Sequence, residues 1–263
     1  MTLRGIPVLH YGGLGTSPPP DVNARLASRW VTPVSLGWQL VSIRECGHRV
    51  VRLYDAWARR DDGDQPGHTP VVLTFDEGRA ADYEVAFPLL LAAGVRAEFF
   101  INTSRVGQPG YLTWSRISEM QRAAMSFQSH SHSHGPLTAL PPQLLRNEVR
   151  TSKRVIEDHT GRGVNFLAAP FGLVDRRVID EVREAGYKAV CASGGWPAQP
   201  RGAVVNRVTV LRDTSETQFG AILAREPRGY LPGVARALRM RLLHRVALKL
   251  RPPGLDGQVW PQR

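Results

Sequence analysis

Seven short apolar runs, rich in β-branched, aromatic or aliphatic residues, recur along the chain, with longer amphipathic stretches between them. The runs cover 6–11, 71–75, 97–102, 126–129, 165–168, 188–192 and 204–210, and they read as strands. The stretches 81–93, 113–124, 143–160, 175–185 and 214–224 read as helices. Gly94, Gly161 and Gly186 stand where three of these should stop, and Thr113 where one should start. Strands alternating with helices build βα units and a mostly parallel sheet. An open doubly wound sheet and a barrel both satisfy this pattern, and periodicity does not choose between them. With 263 residues and 42% hydrophobic content, the chain can bury one sizeable core.

The net charge of +11 is unevenly placed. Eight of the 34 Lys/Arg and one of the 23 acids fall in residues 227–263, which leaves +4 for residues 1–226. The chain is therefore expected to divide into a main domain, 1–226, and a basic C-terminal appendage, 227–263. Nucleic-acid binding needs clustered cations, but the charge lies mostly in the appendage and no recognised nucleic-acid motif is present, so no nucleic-acid partner is expected. In the appendage, Arg alternates with Leu and Val, but the charges do not segregate at about 100° per residue. The expectation is a helix packed on the main domain with a solvated basic edge. Peripheral contact with an anionic membrane is the alternative. Residues 59–70, rich in Asp and Gly, read as a surface loop. Cys46 and Cys191 fit no disulfide framework and read as two buried thiols. Neither a signal peptide nor a membrane span is read, so the expected location is cytoplasmic, or peripheral on the cytoplasmic membrane face.

Chemistry concentrates in three segments. VVLTFDEG, 71–78, is a buried strand that ends in two acids, Asp76 and Glu77. Parallel α/β folds carry functional groups at the carboxyl ends of strands. Two acids there can do two jobs, one binding a metal and one taking a proton. They also suit the N-terminus of the helix that follows. SHSHSHG, 129–135, crowds His130, His132 and His134 behind a strand. His130 and His134 converge on one ion if the segment turns helically, whereas an extended segment would put all three on one face. One carboxylate and two imidazoles with an open position make a catalytic zinc site, and a spare carboxylate can take the proton of the water there. FLAAPFG, 166–172, runs a strand into a turn. Phe171 can line a sugar site there, and its backbone N–H can hold an oxyanion.

These segments resemble the motifs of the polysaccharide deacetylases (the NodB homology domain, carbohydrate esterase family 4). LTFDEG is similar to T-F-D-D-G. SHSHSHG is similar to H-[S/T]-x-x-H, with Ser131 in the hydroxyl position. FLAAPFG is similar to R-x-P-[Y/F]. GYLTWSRISEM and the opening IPVLHYGG look like the branch that acts on poly-N-acetylglucosamine. The resemblance covers roughly residues 5–212. It implies a distorted (β/α) barrel of about seven parallel strands, NodB-like, and metal-dependent hydrolysis of the N-acetyl group of an amino sugar or glycan. By the same resemblance Asp76 takes the place of the catalytic base. Glu77, His130 and His134 take those of the ligands to one divalent ion, expected to be zinc. Phe171 takes that of the oxyanion donor.

Three departures accompany the resemblance. Glu77 stands where the family has Asp, and its extra methylene displaces the carboxylate by about one C–C bond. The branch's acid histidine would fall at Gly12. His10, two residues earlier and on the same strand face, is expected to replace it as the catalytic acid. Ala168 stands where many members have an arginine that tunes the base. An active deacetylase is the expected function. The alternative is a degenerate deacetylase fold that binds a glycan or a partner, for which Glu77 and Gly12 argue.

Overall fold

All seven expected strands are present in the computed structural model, which describes residues 2–18, 24–59 and 69–249. With their shorter companions they are β1 (Val8–Tyr11), β2 (Gly13–Leu14), β3 (Trp30–Val31), β4 (His48–Val50), β5 (Thr69–Glu77), β6 (Glu98–Ile101), β7 (Ser126–Ser129), β8 (Phe166–Ala168), β9 (Ala189–Ala192), β10 (Val204–Asn206) and β11 (Val208–Thr209). The helices are α1 (Pro33–Glu45), α2 (Leu53–Ala58), α3 (Phe87–Ala92), α4 (Trp114–Arg122), α5 (Pro142–Thr160), α6 (Arg176–Glu184), α7 (Glu216–Leu223) and α8 (Pro227–Lys249).

The expected strand 204–210 is divided at Arg207. β10 pairs with β9 and β11 pairs with β1, both in parallel. The sheet runs β10-β9-β8-β7-β6-β5-β1-β11, so its two edges are consecutive in the chain. It therefore curls into a nearly closed barrel with Arg207 at the seam. That settles the choice left open by periodicity.

Strand parity sorts the side chains into two sets. One faces the helices. Registers Tyr11↔Phe75, Phe75↔Phe99 and Phe99↔Phe127 set four rings side by side, stacked at 4.9, 5.1 and 5.6 Å. Such pairs add about 0.5–1.5 kcal/mol each beyond their burial. The other set faces the barrel interior. Val8, Val72, Phe166 and Val205 belong to its apolar cluster. Further along the strands the same parity carries His10, Thr74, Asp76 and Arg207, all buried. Cys191 also lies inside, and burial pushes its thiol up to about 12. Cys46 is exposed, against the expectation of two buried thiols.

The helix signals act as read. Thr113, Asp175 and Ser215 each accept from the backbone N–H three residues on. Gly161 closes α5 at φ +62°. The stretch 81–93 departs from expectation: residues Asp82–Ala86 form a π turn ahead of α3. Pro88 has no N–H for the carbonyl four residues back, and Phe87 N–H reaches Asp82 O instead. α1 and α2 are absent from the expected helices. On α1, Val34 and Val41 are exposed while Leu36, Leu40 and Ile43 are buried, so apolar residues circle the helix and blur its period. The expected loop 59–70 is shorter at its far end, because Thr69 and Pro70 open β5. Its residues 60–68 lie outside the described residues, as do 250–263 of the expected appendage.

α8 has two apolar faces. On one, Tyr230 and Ala237 are buried. Tyr230 donates its hydroxyl to Ile222 O at 2.7 Å, and His244 Nε2 meets Thr138 Oγ1 at 2.7 Å. On the other, Leu231, Leu238, Leu242 and Val246 are between 46% and 64% exposed. Opposed apolar faces cancel in a helical sum, which is why the segment reads as unsegregated in sequence. Among the described residues no helix is long and apolar enough to cross a membrane.

Candidate metal centre and proton-transfer site

β5 points Asp76 into the barrel. Its neighbour should then face outward, but Glu77 has φ +81° and Gly78 φ +69°. The resulting turn brings Glu77 to the same cleft as Asp76. A non-glycine residue held there costs about 1–3 kcal/mol. Seven described residues other than glycine have positive φ, and four of them, Glu77, Ser131, His134 and Phe171, lie in the three motifs. Strain thus collects where chemistry is expected.

The histidine segment is neither helical nor extended. Ser131 turns it at φ +65°, and His134 N–H donates to Ser131 Oγ at 3.1 Å. Glu148 of α5 clamps the turn, accepting from His132 N–H and Ser133 N–H at 2.9 and 2.8 Å. His130 and His134 come together with Nε2 atoms 3.2 Å apart. His132 is sent elsewhere, its Nδ1 at 2.8 Å from Thr103 Oγ1. His130 Nδ1 donates to Ala168 O at 2.8 Å, which leaves Nε2 directed at the cleft.

Glu77 Oε1 lies 3.0 Å from His134 Nε2 and 3.9 Å from His130 Nε2. One ligand atom from each of the three residues falls within 4.8 Å of the others. Ligands at about 2.0–2.1 Å from a tetrahedral ion sit about 3.3 Å apart. The donor set and its spacing therefore fit one divalent cation. Burial lowers His130 to about 4, which keeps it a neutral ligand. Burial alone would raise Glu77, but the neighbouring His134 and His130 outweigh it and bring the carboxyl to about 2. The longer side chain at 77 thus still reaches both imidazoles.

Asp76 has a partner that sequence reading misses. Arg207 is 1% exposed and donates from its two terminal nitrogens to Asp76 Oδ1 and Oδ2, each at 2.7 Å. Burial would raise the Asp76 pKa. The guanidinium, with His10 behind it, holds the carboxyl well below the usual range instead. The guanidinium absent at Ala168 is supplied instead by Arg207, which follows β10, two strands away. The available signal was an arginine inside the strand-like, valine-rich run VVNRVTV.

His10 Nε2 is 3.0 Å from Asp76 Oδ2, and its Nδ1 is 3.1 Å from Thr209 Oγ1. An ionised carboxylate only accepts, so chemistry assigns the proton to Nε2. Burial lowers the His10 pKa despite the neighbouring carboxylate, so the resting ring is neutral. At Gly12 the side-chain space is taken by Arg29: a Cβ there would sit 3.3 Å from Arg29 Cβ. Phe171 has φ +61°, and its ring centroid is 5.2 Å from that of His134. His10, Asp76, Glu77, His130, His134 and Phe171 all line one cleft, together with Arg29, Trp30 and Arg207.

Residues 63–190 match the sequence profile of the polysaccharide deacetylase family. YxkH of Bacillus subtilis, whose name places it among polysaccharide deacetylases, is 27% identical over 161 residues, 60% of this chain and 58% of that protein. The peptidoglycan-N-acetylglucosamine deacetylase PgdA of Listeria monocytogenes is 25% identical over 139 residues, 52% of this chain and 29% of its own. The chain thus spans less than two thirds of the length of these relatives. The structure of the Streptococcus pyogenes deacetylase PplD in complex with acetate superposes with a TM-score of 0.75 at 22% identity. That match covers 86% of this chain and 100% of the other, and it is a likeness of fold.

Proposed function

The chain belongs to the polysaccharide deacetylase family, and from that premise we propose that it hydrolyses the N-acetyl group of an N-acetylated amino sugar in a metal-dependent reaction. One observation carries the reading: Glu77, His130 and His134 offer converging ligand atoms beside an acid, Asp76, that Arg207 keeps ionised. A divalent ion held by these three residues would supply Lewis-acid polarisation of the acetamide carbonyl and a water of lowered pKa. The protein's own groups do the rest. Asp76 Oδ2 lies 4.0 Å from His130 Nε2, within reach of a water at the ligand cluster, and takes its proton as general base. The backbone N–H of Phe171 steadies the negative oxygen of the tetrahedral intermediate. When the C–N bond breaks, the amine nitrogen gains a proton and the acetyl group leaves as acetate.

Proton delivery falls to His10. Its neutral resting state makes it a poor acid on its own, so it acts as a relay beside Asp76. It gives its Nε2 proton to the amine and is reprotonated at Nε2 by Asp76, 3.0 Å away, which returns the carboxylate to its resting state. His10→Gln keeps a donor to Asp76 but cannot relay. It should lower kcat by about 10²–10⁴-fold with metal content unchanged. An unaltered kcat at every pH would assign the amine's proton to solvent.

The test of the reading itself is acetate release from N-acetylglucosamine oligosaccharides by the zinc-loaded chain. Release should vanish on chelation and return on adding back zinc. Release that persists in the chelated protein would overturn metal dependence, and no release from any acetylated glycan would overturn the activity.

A further inference from the structure

The cleft continues past the metal ligands along α8. Arg29, Phe171, Ser193 and Arg207 line the ligand cleft and also a neighbouring recess, whose far wall is Arg236, Met240 and Arg241. α8 is pinned so that Arg236 and Met240 face the recess, with the exposed Arg241 at its rim. A Cβ on Gly195 would come within 2.5 Å of Val234 N, and one on Gly229 within 2.6 Å of Ile222 N. Only glycine lets the helix approach this closely, and Tyr230 and His244 hold it on either side of the arginines. Arg29 enters the recess through the space that Gly12 leaves.

Three cations therefore line the recess while no described carboxylate does; the acids that act on Arg29, Glu77 and Asp76, line the ligand cleft instead. Among the described residues, Arg29, Arg236 and Arg241 form no ion pair. Burial, and then the charge of Arg236, lowers the Arg29 pKa, so the two guanidinium groups repel each other. Asp76 is already committed to Arg207. A recess built this way is stabilised by an anion. Guanidinium forks match phosphate and carboxylate alike. A carboxylate has two oxygens and one charge, which a single fork satisfies. A phosphoryl group has more accepting oxygens and up to two charges, which matches several forks around one recess.

We propose that this recess binds a phosphoryl group carried by the substrate, so that the acetylated amino sugar is presented as a phosphate ester or diester. The inference rests on the deacetylase reading for the role of the bound sugar, while binding is measured separately from hydrolysis. The full chain, with and without added zinc, is titrated by calorimetry with N-acetylglucosamine 1-phosphate, its neutral methyl glycoside, inorganic phosphate and a short-chain prenyl phosphodiester of the same sugar. The 1-phosphate should bind about tenfold tighter than the methyl glycoside, and inorganic phosphate should compete with it. In the Arg236→Gln/Arg241→Gln variant the ratio should fall to about one. Arg239→Gln removes the same kind of charge from the exposed side of α8 and should leave the ratio intact, and melting curves check that the variants fold. A further gain for the prenyl diester identifies a lipid-linked substrate, and equal binding of the two phosphorylated sugars identifies a soluble one; both uphold the site. A ratio near one in the unaltered chain, or an equal drop in Arg239→Gln, overturns it. Failure of acetate release would leave these ratios untouched.

Discussion

His130→Ala and His134→Ala should each yield a protein that purifies without bound metal and releases no acetate above background. The two imidazoles and Glu77 supply the entire ligand set that the described residues bring together, and three protein ligands are the usual complement of a catalytic zinc site. Loss of one should weaken binding beyond the roughly 10–100-fold that follows removal of an outer hydrogen-bond partner. His134 is the cleaner test. Its side chain is 17% exposed against 3% for His130, so its truncation leaves less of a cavity. Metal content by atomic emission, with a melting curve on the same sample, reads the result, and full occupancy in both variants would remove the assignment. Glu77→Asp sharpens it. The substitution restores the residue type of the related motif, but it withdraws the carboxylate by about 1.5 Å from imidazoles placed to meet a glutamate. Metal affinity should fall. A gain in affinity or turnover would instead mark Glu77 as an impairment of the site.

What the sequence made legible follows from local rules. Period-two alternation in VVLTFDEG points Asp76 inward, and the residue types in SHSHSHG single out His130 and His134 as candidate ligands. Backbone geometry was less legible. Nothing in the alternation shows that Glu77 leaves strand conformation, or that Ser131 rather than a helical turn brings His130 and His134 together. Long-range pairing was illegible. Arg207 is 131 residues from Asp76, and only closure of the barrel between β11 and β1 makes them neighbours. The helix at α8 was legible as one packed on the main domain, but its two faces were not. A pattern with one buried and one exposed apolar face has no net direction, although each face is well defined in three dimensions. The same packing that fixes its buried face also turns Arg236 towards the cleft, which composition counts only as tail charge.

Asp76→Asn and Arg207→Met should each destabilise the fold by about 3–5 kcal/mol, and the double variant should lose clearly less than the sum. Each single change strands a charge inside the barrel. Without Arg207, Asp76 keeps only His10 as a close partner. Without the carboxylate, Arg207 keeps Thr74 Oγ1 at 3.2 Å and the Phe100 ring at 5.1 Å. Neither offsets the removal of a full charge from water. In the double variant both charges are gone, and the remaining penalty is imperfect packing. For a chain of this size 1 kcal/mol moves the melting temperature by about 2–4 °C, so the coupling is measurable by calorimetry. Additive losses would mean the two side chains do not act as a pair. Activity separates the partners further. Asp76→Asn should retain the metal yet lose about 10²–10⁴-fold in kcat, because the base is gone and the ligands are not. Arg207→Met should also retain the metal. With its main counter-charge removed and burial opposed only by His10 and His130, the Asp76 carboxyl rises towards protonation, so turnover falls at neutral pH and recovers as pH increases. If Asp76→Asn empties the metal site, Asp76 is a ligand and Glu77 is the base.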